Sequence, residues 1–145
     1  MSNLSEQLTE LMNEDGYTQN SLAQAMKTPR AKISLYKTGK SVPNFKYLVA
    51  FVEFFNCSAD YLIGLSDYPK RELLYKPIQP FNIRLRQILA LKGKSQKALH
   101  ETKHISWNTI HGWLTATSLP SIENLKKLAD FLECSVDFIL GRTDY

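Results

Sequence analysis

Residues 18–36 of this 145-residue chain read TQNSLAQAMKTPRAKISLY. Thr18 is a hydroxyl residue suited to capping a helix. Leu22 and Met26 follow it four residues apart, on one helical face. Proline favours a first helical turn, so Thr28-Pro29 predicts the opening of another short helix, which buries Ile33 and Tyr36. Between those apolar positions lie Arg30, Ala31, Lys32, Ser34 and Leu35, a mainly polar outer face. The stretch predicts two short helices joined by a tight turn, the second showing its polar side to the outside.

The pattern returns 77 residues later, where residues 95–113 read SQKALHETKHISWNTIHGW. Sliding the chain on itself by that offset aligns the two halves without a gap. Leu8 falls on Leu85, Gly16 on Gly93, Gln19 on Gln96, Leu22 on Leu99, Ile33 on Ile110 and Pro43 on Pro120. Near the end Cys57, Ser58, Asp60 and Gly64 land on Cys134, Ser135, Asp137 and Gly141. About sixteen of 65 positions are identical, which marks two copies of one small domain. The expected boundaries are a first domain at 1–68, a linker at 69–80 and a second domain at 81–145. Pro69, Pro77 and Pro80 disfavour a continuous helix through the linker. Leu73, Leu74 and Tyr75 give it apolar groups with which to dock on a domain.

Each copy reads as five short helices. Leu4, Leu8, Leu11 and Met12 make the first stripe, matched by Phe81, Leu85, Ile88 and Leu89. Gly16 and Gly93 suit a left-handed helix stop. Thr18 and Ser95 are N-caps for the second helix, and Ser106 opens the third helix of the later copy. Asn44 and Ser121 cap a fourth helix with Leu48, Phe51, Val52 and Phe55, or Leu125, Leu128, Ala129 and Leu132, on its apolar side. Ser58 and Ser135 start a brief fifth helix, with Asp60 or Asp137 near its positive end and Gly64 or Gly141 as its stop. No stretch alternates with period two, so the expected fold is all-α.

Composition agrees with a globular protein: 43% of residues are hydrophobic, 22% charged, with six glycines and six prolines. Apolar runs such as Tyr47 to Val52 fall far short of the ~20 residues that cross a bilayer. Met1 to Glu6 lack the basic-then-apolar pattern of a secretion leader. Cys57 and Cys134 cannot build a disulfide framework or a four-thiolate zinc site, and are expected to be small buried hydrophobes. The expected compartment is a reducing cytoplasm. The net charge is +4, and its distribution is uneven. Between Asp15 and Glu53 there is no acid, while Lys27, Arg30, Lys32, Lys37, Lys40 and Lys46 lie there. From Glu72 to Glu101 a second acid-free stretch holds Lys76, Arg84, Arg86, Lys92, Lys94 and Lys97. Such runs suit either a solvated helix face or a polyanionic partner.

Two short helices and a tight turn describe a helix-turn-helix. Thr18-Gln-Asn-Ser-Leu22-Ala23, Ile33-Ser-Leu-Tyr36, Gly39, Pro43, Leu48 and Asp60-Tyr-Leu-Ile-Gly64 together resemble the lambda-repressor/Cro-like helix-turn-helix family of xenobiotic-response-element type. The second copy is similar through Ser95-Gln96, Leu99, Ile110, Trp113, Pro120, Leu125 and Asp137-Phe-Ile-Leu-Gly141. The resemblance implies two lambda-repressor-like five-helix domains in tandem. It also implies a bacterial or phage transcriptional repressor whose domains read adjacent half-sites in the major groove of double-stranded DNA. Four departures stand out: Lys27 and His104 where the family often has a turn glycine, Lys37 and Leu114 where it has glutamate, His100 opposite Ala23, and Gly112 inside a helix, at about 1 kcal/mol relative to alanine.

The resemblance also implies the site residues. Thr18 and Gln19, with Ser95 and Gln96, stand at helix starts that grip a phosphate. Arg30, Ala31, Lys32, Ser34 and Leu35 face the bases, with Arg30 or Lys32 on guanine. Lys37, Lys40 and Ser41 follow the flanking phosphates. In the second copy Trp107, Asn108, Thr109, His111 and Gly112 face the bases, Asn108 suiting adenine and Thr109 a thymine methyl, while Thr115, Thr117 and Ser118 carry no charge. Blander readings stand beside these. Gln19 completes a capping network, Arg30 and Lys32 are solvated charges, and Trp107 packs on the other repeat or meets a protein. A second functional reading has repeat 1 alone binding DNA, with repeat 2 a dimerisation or antitoxin-like protein-partner module. His100 and His104 have a zinc-compatible spacing without the Glu-x-x-His context, so no metal or cofactor is expected. No nucleophile elbow, glycine-rich phosphate loop or carboxylate cluster supports an enzyme, and neither membrane nor small-molecule substrate is expected.

Overall fold

The computed structural model describes residues 3–145, and every regular element among them is a helix. Met1 and Ser2, part of the start read as lacking a leader, lie outside the described residues. Two compact units follow each other, one ending at Leu73 and the next beginning at Leu74. The first contains α1 (Leu4–Glu14), α2 (Gln19–Met26), α3 (Arg30–Thr38), α4 (Phe45–Phe55) and α5 (Ala59–Leu62). The second repeats the order with α6 (Phe81–Lys92), α7 (Gln96–Lys103), α8 (Trp107–Leu114), α9 (Ile122–Leu132) and α10 (Val136–Ile139). Among the described residues no helix is long and apolar enough to cross a membrane.

Local chemistry sets the helix starts. Asn3, Thr18, Asn44 and Ser58 in the first unit each accept a backbone N–H from the opening turn. Ser95, Ser106, Ser121 and Ser135 do the same in the second. Each such cap is worth about 1 kcal/mol against alanine. Pro29 stands one residue earlier than a first-turn proline, at the N-cap of α3, and supplies no side-chain bond. Its fixed φ of −57° still leads the chain into the helix. At the other ends, Gly16 and Gly93 take φ of +72° and +62°. Lys27 and His104, in place of the turn glycine, take φ of +54° and +56°. A side chain there costs roughly 1–2 kcal/mol.

Hydrophobic burial then packs the helices. Leu8, Leu22, Ile33, Leu48, Phe51 and Phe55 form the inside of the first unit, and Leu85, Leu99, Ile110, Trp113, Leu125 and Leu132 that of the second. Tyr36 lies edge-on to Phe51 at 5.9 Å and fixes α3 to α4. In the second unit Trp113 meets Phe81 edge-on at 6.0 Å and fixes α8 to α6. One cross-link recurs with different side chains. Gln7 Nε2 donates to the Tyr61 carbonyl at 3.2 Å, and Arg84, at the matching position, donates to the Phe138 carbonyl at 3.0 and 2.7 Å. A buried ion pair, Arg142 on Asp137 at 2.7 Å, closes the end of the second unit.

The stretch 69–80 contains no helix and is docked on either side of Leu74, which is 99% exposed and so does not dock as expected. Asn56 Nδ2 holds the carbonyls of Arg71 and Leu73, while Arg71 reaches the Phe55 carbonyl and pairs with Asp15 and Glu14. Farther on, the Lys76 and Gln79 amides donate to the carbonyls of Arg142 and Leu140, and Tyr75 lies under the Arg142 guanidinium. The strap at 69–73 covers the end of α4, where Cys57 is buried. Cys134 is only half-buried, which corrects its reading as a buried hydrophobe. Glu133 replaces Asn56 at the matching position, and Ser135 Oγ, just beyond that end of α9, donates to the Tyr145 carbonyl at 3.1 Å.

Candidate nucleic-acid interface

In the first unit, α3 rests on α1 and α2 through Ile33 and Tyr36. Its opposite side stays open: Arg30, Ala31, Lys32 and Leu35 are exposed and Ser34 is half-buried. The start of α2 is fixed by a reciprocal cap, with Ser21 N–H donating to Thr18 Oγ1 at 3.1 Å and Thr18 N–H to Ser21 Oγ at 2.8 Å. Gln19 takes no part in that cap, so the capping reading of Gln19 is replaced by Ser21. Lys37, half-buried, and Lys40, exposed, follow at the end of α3, and the Ser41 amide bonds the Leu35 carbonyl at 3.3 Å. A cleft of about 300 Å³ lies between α2 and α3, lined by Asn20, Gln24, Lys27 and Arg30 among others.

Charge separates the two units. Among the described residues, none of Lys27, Arg30, Lys32, Lys37, Lys40 and Lys46 enters an ion pair. Lys32 alone is engaged, lying over the Tyr47 ring at 5.3 Å. The six bases of the second acid-free stretch are each engaged within their own unit. Arg84 and Arg86 donate to the Phe138 and Leu114 carbonyls. Lys92 and Lys94 cover the rings of Phe138 and Phe131, and Lys76 and Lys97 pair with Asp144 and Glu101. Two stretches alike in sequence present unlike electrostatic surfaces.

In the second unit Ser95 caps α7 and Gln96 is exposed beside a cleft of about 400 Å³, lined also by Arg86, Lys94 and Leu114. Asn108 and His111 are exposed on α8. Thr109 is half-buried, with its hydroxyl held by Ser106 Oγ at 2.8 Å. Gly112 does not face outward, a correction to its reading as a base-facing position. The loop after α8 folds back on it, with the Thr117 and Ser118 amides on its carbonyl, and an added Cβ would strike Ser118 Oγ. Trp107 is 47% exposed and has a neighbour that the sequence left unforeseen. Its indole stacks on His100 of its own unit, and His100 Nδ1 sits 2.7 Å from the Ile105 carbonyl. His104 occupies the left-handed cap of α7.

Sequence reasoning marked His100 as a departure opposite Ala23 but assigned it no stacking partner. Tyr47 carried no signal, because its neighbour Lys32 lies fifteen residues away on another helix. Residues 8–62 match a family described as helix-turn-helix, and residues 84–144 match the Cro/C1-type HTH DNA-binding domain. No curated protein matches the chain, and neither does any solved structure. Between them the two matches cover both α2–α3 and α7–α8, and the chain belongs to the lambda-repressor/Cro-like helix-turn-helix family, carrying two such domains in tandem.

Proposed function

We propose that this chain is a transcriptional repressor of bacterial or phage type whose two domains read adjacent half-sites on double-stranded DNA. The observation that carries this reading is the division of labour in charge. The first domain offers six bases without ion-pair partners around α3, whereas each of the six bases in the second acid-free stretch is engaged within its own domain by an acid, a carbonyl or a ring, and the second outer helix shows Trp107, Asn108 and His111. Phosphate contacts supply affinity and base-edge contacts supply selectivity. The first domain thus anchors the chain through Gln19, Lys37, Lys40 and Ser41, and reads guanine with Arg30 or Lys32 at about 1–3 kcal/mol per bidentate pair. The second domain contributes Gln96 toward a phosphate and Asn108 toward adenine.

Two tethered domains meet the specificity need that single modules meet by dimerising. Half-sites one turn apart lie about 34–36 Å from each other. Twelve extended residues reach about 40 Å, so the 69–80 stretch can bridge them once its bonds to the two domains release. Its docking includes exposed ion pairs such as Lys76 with Asp144, worth about 0–1 kcal/mol. Selection of bound fragments from random duplexes tests the reading. A composite site with two unlike halves is expected. A site whose length and sequence are unchanged when Asn108→Ala and Trp107→Ala are combined overturns the two-reader version.

A further inference from the structure

Two departures of the second domain from the first lie in α7 and at the start of α8. His100 stands where the first domain has Ala23, and Trp107 where it has Arg30. These two differences meet in space. The ring centroids are 4.6 Å apart with planes inclined by 29°, a stacked pair. A carbonyl oxygen only accepts, so His100 Nδ1 carries the proton in its 2.7 Å bond to Ile105. That bond ties α7 to the turn before α8 and orients the imidazole, and the imidazole then backs one side of the indole. Trp107 is held without being covered, since 47% of it remains exposed.

We propose that His100 is a positioning residue that holds Trp107 as a preformed reader of a thymine edge in the second half-site. The inference rests on the second domain's binding DNA, as proposed above. An indole offers an apolar surface and a single N–H donor, with no acceptor. Thymine presents a C5 methyl and the O4 acceptor in the major groove, which match both features. Cytosine presents an amino donor and no methyl, and the purines have no methyl either. Holding the indole in one orientation before binding removes the ordering cost at the moment of contact.

The test uses the full chain and duplexes bearing its selected site, with each thymine replaced in turn by uracil, which deletes only the methyl. One replacement in the second half-site should weaken wild-type binding about fourfold, the value of one buried methyl group. In His100→Ala the same two duplexes should bind equally. His100→Phe, which keeps the stack, should restore the difference, whereas His100→Gln, which keeps only a hydrogen-bonding group, should not. Alanine is compatible with this fold, because Ala23 fills the matching place in the first domain. His100→Ala should therefore keep a single cooperative thermal transition, so that the lost discrimination is not a loss of fold. Equal uracil sensitivity in wild type and His100→Ala overturns the proposal. So does a second half-site with no uracil-sensitive thymine while Asn108→Ala still changes base preference there. If Asn108→Ala and Trp107→Ala both leave affinity and selected sequence unaltered, the second domain is no reader and the function proposed above falls with it.

Discussion

Replacing Lys37 and Lys40 by glutamine, against a control that replaces Lys76 and Lys92, separates a built phosphate-binding face from mere basicity. Each pair lowers the net charge of +4 by the same amount. The environments differ: Lys37 and Lys40 make no ion pair, while Lys76 pairs with Asp144 and Lys92 lies 6.0 Å over the Phe138 ring. A protein that neutralises Z phosphates loses affinity with salt at a log–log slope of about −0.9Z. Losing two phosphate contacts therefore flattens the slope by about 1.8. Between roughly 50 and 200 mM salt, wild-type affinity should fall about twelvefold further than that of Lys37→Gln/Lys40→Gln. The control should keep nearly the wild-type slope. Fluorescence anisotropy on the selected duplex across that salt range reads both. Equal flattening in the two variants would mean that total charge, not the α3 face, governs binding, and the reasoning would be wrong.

Three further outcomes are expected. Lys27→Gly and His104→Gly each relieve a left-handed side chain and should stabilise their domain by about 1 kcal/mol, seen as a higher denaturant midpoint; a lower midpoint for both would contradict the strain. Trp113→Ala empties a site that is 1% exposed and should destabilise the second domain by about 3–5 kcal/mol, leaving the first domain's amides protected in hydrogen exchange. Arg71 hydrogen-bonds Asp15 and holds its carboxyl below the usual range. A depressed carboxylate stabilises above its unfolded pKa and loses that contribution as pH falls through the folded value. Acid unfolding of wild type should thus be steeper than that of Asp15→Asn, and superimposable acid curves would refute the link.

Much of this architecture was legible because backbone requirements leave residue-specific marks. Thr18, Asn44, Ser58 and their counterparts announce helix starts, since few side chains can accept an orphan N–H. Ile33, Tyr36, Ile110 and Trp113 announce the buried side of α3 and α8 by spacing alone, and all four are buried. Side-chain direction left no such mark. Arg84 and Arg86 count as surface charge in a linear tally, yet both turn to backbone carbonyls. Gln7 and Arg84 make the same cross-link with unlike chemistry, so matching the copies by residue type passes over it. Gly112 reads as a helix defect until the returning Thr117–Ser118 loop is seen to need its missing Cβ. Trp107 left three partners open, and a fourth, His100, is the one that touches it.

The duplication supplies an internal comparison. The inner positions Leu8, Leu22, Ile33 and Leu48 recur unchanged as Leu85, Leu99, Ile110 and Leu125. The five positions read as base-facing differ throughout: Arg30, Ala31, Lys32, Ser34 and Leu35 align with Trp107, Asn108, Thr109, His111 and Gly112. A palindromic site asks the same bases of both halves and therefore needs two equal faces. Two frameworks held alike with faces that differ at all of these positions suit a site with unlike halves. Under the proposed function, exchanging the five outer residues of α3 into α8 should convert the selected site toward a repeat of its first half. The conversion would be incomplete at one place, because Leu35 cannot enter at Gly112 without displacing the Ser118 loop. Retaining Gly112 in the exchange is thus the condition for testing the faces rather than the fold.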